Sequence, residues 1–102
     1  MTVYVDNMRA SFGRMVMCHM IADTEKELHA MAKQIGLWKR WYQGDHYDVS
    51  LTKRAEAVRR GAREITVRQL AMMVANRKRG LSCTPETAHA VWLAARKERL
   101  EK

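Results

Sequence analysis

Residues 2–5 alternate, with Val3 and Val5 on one face and Tyr4 on the other, and predict a short strand that Asp6-Asn7 ends. Ser11-Phe12-Gly13 reads as a turn. Residues 15–21 form an almost unbroken apolar run interrupted by His19, and seven residues suit a buried strand better than a helix. Asp23-Thr24 opens a helix, with Thr24 and Glu27 at the spacing of a capping box. Leu28, Met31, Ala32 and Ile35 then recur at i, i+3, i+4 and i+7, one buried stripe, and Gly36 stops the helix. Residues 37–43 fit a strand or an irregular loop equally well. Residues 46–50 alternate again, with His46, Asp48 and Ser50 on one face and Tyr47 and Val49 on the other.

Residues 51–60 predict a helix with Leu51, Ala55, Val58 and Ala62 inward, closed at Gly61. A brief extended piece follows at 64–66. Thr66 and Gln69 have capping-box spacing for a helix to about Arg79 that buries Val67, Leu70, Met73 and Val74, and Gly80 closes it. Thr84 caps a last helix with Pro85 at its first position and Val91, Trp92, Ala95 and Leu100 as its inner stripe. Helices between strands suggest parallel crossovers. The predicted class is therefore α/β: a small, mostly parallel sheet of three to four short strands, flanking helices and a C-terminal helical appendage. Residues 1–80 are the expected α/β domain. Residues 81–102 are the expected basic helix, packed on it or extending from it.

At 102 residues the chain has room for one ordinary domain. No run of 18 apolar residues is present, and no basic segment followed by an apolar stretch opens the chain. The expectation is a cytoplasmic protein without a membrane partner. Cys18 and Cys83 are too few for a disulfide framework and read as reduced thiols.

The net charge of +8 is unevenly placed. Residues 1–52 hold six basic and six acidic groups, whereas residues 53–102 hold thirteen basic and five acidic ones. Such a field attracts polyanions. Arg59, Arg60, Arg63, Arg77, Lys78 and Arg79 are the candidate contacts to nucleic acid or to an acidic host protein. The competing reading is a set of solvated helix faces. Trp38, Trp41 and Tyr42 interleave with Lys39 and Arg40, a mixture that stacks on bases or simply roofs a core. The apolar stripe of the last helix leaves room for a homodimer.

The candidate chemistry lies in the neutral half. Asp6 follows the first strand, His19 interrupts an apolar strand, and Asp45-His46-Tyr47-Asp48 enters the third. His46 and Asp48 share a strand face and could bind one ion together. Asp6, His46 and Asp48 are the expected ligands of a divalent metal, with His19, His46 and Asp48 as the catalytic candidates and Arg54 as a phosphate clamp. No strong zinc or metallohydrolase spacing is present. The alternatives are structural: a hydrogen-bonded core His19, Asp45 and Asp48 as turn caps, and an Asp48–Arg54 ion pair.

The segments TVYVDNM, FGRMVMCHMIADT, ELHAMA followed by IG, GDHYDV, KRAEAV and GAREIT occur in one order. Together they resemble a family of small bacterial and phage proteins catalogued as domain of unknown function 4031, over roughly residues 2–70. The family pattern has an acidic residue at Asp6, His at His19, Glu-Leu-His ending at His29, Asp-His-Tyr-Asp at 45–48, Arg at Arg54 and Gly-Ala at Gly61-Ala62; all are present. The resemblance implies no established activity. It implies a phage or prophage source and a place inside a bacterial host cell. Some relatives carry a further HD phosphohydrolase-type domain that these 102 residues lack.

Two functions are thus expected to compete. One is an intracellular binding protein that engages nucleic acid or an acidic host partner through its basic C-terminal half. The other is a metal-dependent hydrolase of phosphodiesters or nucleotides that uses the Asp/His cluster.

Overall fold

A computed structural model describes residues 2–101. Five strands and four helices are assigned among them: β1 (Val3–Val5), β2 (Ala10–Phe12), β3 (Met15–Ala22), α1 (Glu25–Gln34), β4 (Tyr47–Ser50), α2 (Leu51–Arg59), β5 (Arg63–Glu64), α3 (Val67–Lys78) and α4 (Ala88–Leu100). A single 3-10 turn, Lys39–Trp41, lies between α1 and β4. Two compact units divide the chain, the first extending to Val67 and the second beginning at Arg68.

In the first unit β3 is the organising strand. Met17 pairs with both Ala10 and Ser50, and Met20 pairs with both Val5 and Tyr47. One edge of β3 is therefore shared by β1 and β2, and the other belongs to β4. These three pairings are antiparallel, and β1–β5 alone is parallel. The sheet is thus mixed and mostly antiparallel, not mostly parallel as expected. The link between β3 and β4 explains the difference. Both α1 and β4 start near the carboxyl end of β3, where Tyr47 faces Met20. A ten-residue helix runs about 15 Å from that end. Residues 35–46 must bring the chain back before β4 begins, and that return reverses the strand's direction.

The expected turn at residues 11–13 is instead the end of β2 and the start of a hairpin, with Gly13 at φ +62° in its tip. Capping of α1 follows the expected pair: Thr24 Oγ1 accepts from Glu27 N–H at 3.2 Å and donates to Glu27 Oε1 at 2.8 Å. All four residues of the α1 stripe are buried. They pack with Val3, Val5, Cys18, Met20, Tyr47 and Val49 in one core on one face of the sheet.

The inner face of α2 differs from the expected stripe. Ala57 is buried and Lys53, Arg54 and Val58 are half-buried, whereas Leu51 and Ala55 are exposed. Ser50 is both the last residue of β4 and the N-cap of α2, its Oγ accepting from Lys53 N–H, so the strand's exit sets the rotation of the helix. In the second unit Leu70, Met73 and Asn76 are the buried residues of α3, while Val67, at the end of the first unit, is exposed. Asn76 Nδ2 donates to Ala88 O at 3.0 Å. The last helix starts at Ala88 rather than just after Thr84, because Thr84 and Thr87 bond each other in a turn ahead of it. Val91, Trp92 and Ala95 are half-buried and Leu100 is exposed. No helix among the described residues is long and apolar enough to cross a membrane.

Candidate metal centre

The site lies on the sheet face opposite the core. Alternation puts Cys18 and Met20 inward and His19 outward, and Tyr47 and Val49 inward and Asp48 outward. The β3–β4 register places His19 directly beside Asp48. His46 precedes β4 and lies two residues from Asp48, on the same face.

On the other side of β3 the sheet is interrupted. Val5 faces Met20 and Ala10 faces Met17, so residues 6–9 stand against only Cys18 and His19. The excess chain loops out, with Arg9 at φ +52°. Asp6 N–H still donates to His19 O at 3.0 Å, as a regular ladder requires. The reciprocal bond is replaced: His19 N–H donates to the Asp6 carboxylate, Oδ1, at 2.7 Å. Asp6 O instead accepts from Arg54 Nε at 2.7 Å, and Arg54 Nη1 reaches Glu64 Oε1 at 2.9 Å. Asp6 Oδ1 also accepts from Met8 N–H at 3.3 Å. Asp6 Oδ2 lies 2.8 Å from His19 Nδ1. Asp6 is fully buried, and these bonds satisfy it.

An acceptor at Nδ1 calls for a proton on that nitrogen and leaves the Nε2 lone pair of neutral His19 pointing outward. Nε2 stands 4.0 Å from Asp48 Oδ1. His46 repeats the arrangement: Nδ1 bonds Asp45 Oδ1, and Nε2 is 3.3 Å from the same Asp48 Oδ1. The two imidazoles meet edge to face with centroids 5.0 Å apart. One ligand atom from each of His19, His46 and Asp48 falls within 4.8 Å of the others. Two lone pairs and a carboxylate oxygen thus converge. Their mutual repulsion is relieved by protons on the rings or by a cation among them.

Two nitrogens and one oxygen suit a borderline divalent ion such as Zn²⁺, and can also hold the harder Mn²⁺, and leave coordination positions for water or substrate. A carboxylate behind each histidine fixes its tautomer and ring orientation, the arrangement found at metal-bound histidines. The donor set fits a metal ion on these grounds.

The expected residues are thus partly brought together. His19, His46 and Asp48 converge. Asp6 stands behind His19 instead of beside the ion, because its carboxylate completes the interrupted ladder. Arg54 binds Asp6 O and Glu64, a brace for the loop, and forms its ion pair with Glu64 instead of Asp48. Asp45, considered as a turn cap, is the partner of His46. Its place directly before His46 was the only available signal. The cationic candidates are not members of the cluster: Arg59, Arg60 and Arg63 belong to the first unit and Arg77, Lys78 and Arg79 to the second, all exposed.

His19 and Asp48 open onto a cleft of about 800 Å³ that also exposes Arg40, Trp41, Tyr42 and Lys53. Aromatic and methionine side chains form much of the rest of its wall. A volume of this size is ordinary for a small-molecule site.

No curated protein and no solved structure matches the chain. The model of a protein family of unknown function, DUF4031, matches residues 3–77. That span contains the whole site and most of the molecule, and the chain belongs to the DUF4031 family.

Proposed function

We propose that this protein is a metal-dependent hydrolase of phosphoesters, with a divalent ion of the Zn²⁺ or Mn²⁺ class bound by His19, His46 and Asp48. One observation carries the reading: each histidine is held at Nδ1 by its own carboxylate and turns Nε2 toward the same Asp48 oxygen. Such an ion supplies a bound water that ionises near neutral pH and a Lewis acid for a phosphoryl oxygen. Asp6 and Asp45 keep the two rings oriented. Arg40 and Lys53 give the adjoining cleft two cations for an anionic ester. The test is hydrolysis of bis(p-nitrophenyl) phosphate by protein reloaded with Zn²⁺ or Mn²⁺. Turnover that chelation removes and that His46→Ala lacks supports the reading; metal-loaded protein without turnover above free metal overturns the hydrolase.

A second reading rests on the surface. All six basic candidates, Arg59, Arg60, Arg63, Arg77, Lys78 and Arg79, are exposed. Their exposure is compatible with engagement of nucleic acid or of an acidic host partner, toward which the positive charge of residues 53–102 points. If nucleic acid is the partner, affinity for short DNA or RNA falls steeply between about 50 and 200 mM salt. The two readings are compatible, since nucleic acid is itself a phosphodiester.

A further inference from the structure

We infer that the cleft beside His19 and Asp48 is a nucleotide site, in which a nucleobase lies against Trp41 and Phe12 while its phosphate faces the metal centre. The inference rests on the phosphoester reading and names the substrate class. It starts from four of the nine large apolar side chains that the fold leaves exposed among the described residues. Met8, Phe12, Met15 and Trp41 are 45%, 76%, 50% and 48% exposed, and all four line this one cleft. Exposed apolar groups gathered around a concave site mark a binding surface.

Polar groups share the cleft with these. His19 and Asp48 belong to the metal cluster. Arg40 is exposed and also stacks over Trp38, its guanidinium 4.3 Å from the ring centroid. The Lys53 ammonium lies against the C-terminal end of α1, 3.1 Å from where a β-carbon on Gly36 would stand. Gly36, at φ +81°, leaves that space open. A ligand that satisfies both parts has an anionic end and a flat apolar end. Aromatic faces stack on any base, and cations neutralise the phosphate attached to it. A sugar phosphate offers only the anion. An alkyl phosphate offers the anion and an apolar chain but no ring to stack.

The probes are AMP, UMP, ribose 5-phosphate and hexyl phosphate, titrated into the Zn²⁺-loaded protein and followed by calorimetry. A stacked base contributes about ten-fold or more in affinity. AMP and UMP are expected to bind at least about ten-fold more tightly than ribose 5-phosphate and hexyl phosphate, and Trp41→Ala is expected to abolish that preference. Trp41→Phe retains most of it, which separates stacking from a folding defect. Equal affinity for AMP and ribose 5-phosphate, or tighter binding of hexyl phosphate, overturns the nucleotide inference. So does weak binding of all four. Zn²⁺ is titrated separately into the apoprotein. Normal Zn²⁺ binding without a base preference sinks the nucleotide site alone. Absent Zn²⁺ binding sinks the metal reading, whatever the nucleotides do.

Discussion

Asp6 and His19 are joined three times: by Asp6 N–H to His19 O, by His19 N–H to Asp6 Oδ1, and by His19 Nδ1 to Asp6 Oδ2. One carboxylate thus closes a gap in the sheet and sets the tautomer of a histidine at the candidate metal centre. Fold and chemistry share this residue, and its replacement should disturb both.

Asp6→Asn keeps the size but brings an NH₂ group to a place where two donors, the His19 amide and Nδ1–H, are already waiting. One contact becomes donor against donor, or Nδ1 becomes the acceptor and the proton moves to Nε2. Metal affinity is expected to fall about 10- to 100-fold. Stability is expected to fall by about 1–3 kcal/mol, read from urea unfolding of the metal-free protein. Unchanged affinity would show that the carboxylate does not act through the ring.

His46 differs from Asp6 in burial, its side chain being 25% exposed where that of Asp6 is fully buried. His46→Ala is expected to remove metal binding and to leave the melting temperature of the apoprotein within a few degrees. Asp45→Ala, which leaves the ligands intact, is expected to weaken binding about 10- to 100-fold. Unfolding of the His46→Ala protein would make the segment a structural corner.

Arg54 donates from Nε to the Asp6 carbonyl and from Nη1 to Glu64. Glu64 is mostly exposed, so that ion pair contributes little. The bond to Asp6 O matters more, since no ladder partner takes its place. Arg54→Ala is expected to destabilise by about 1–3 kcal/mol in chemical unfolding. Arg54→Lys is expected to restore little, because a single ammonium cannot reproduce the two-pronged guanidinium geometry. Loss of activity with undiminished stability would instead restore Arg54 to substrate binding.

Stability at alkaline pH reports on the tyrosines. Burial, and then the neighbouring Tyr42 and Glu25, push the Tyr47 phenol above its ordinary value. Burial and the bonded Asp23 do the same to Tyr4. Folding favours the neutral phenols, so this stabilisation is complete below about pH 10 and is lost as pH rises through the raised values. The melting temperature is expected to fall above about pH 10, and less steeply in Tyr47→Phe. An identical alkaline slope in that variant would contradict the assignment to Tyr47.

Much of this arrangement was legible in the residues. Period-two alternation placed His46 and Asp48 on one face and separated Tyr47 from both. The α1 stripe, with its Thr24 cap and Gly36 stop, followed from spacing alone. What joined His19 to Asp48 was a register, and register depends on how residues 35–46 return the chain, which no local pattern encodes. The role of Asp6 was hidden for a similar reason. A carboxylate that replaces a backbone carbonyl becomes visible only when the ladder bonds are counted. The strand β2 is not legible because the alternation of Ala10, Ser11 and Phe12 is too short to stand out beside Gly13, which marks a turn. On α2 the expected stripe was half right: Val58 and Ala62 meet the core, whereas Leu51 and Ala55 are exposed and the stems of Lys53 and Arg54 are half-buried in their place.

X-ray absorption at the zinc edge of the protein loaded with one equivalent of Zn²⁺ tests the metal centre most directly. Two imidazole nitrogens at about 2.0–2.1 Å and carboxylate and water oxygens are expected, and this two-imidazole spectrum is absent from His46→Ala, which no longer holds the ion. A spectrum with only oxygen neighbours, or a spectrum that His46→Ala leaves unchanged, would contradict the site.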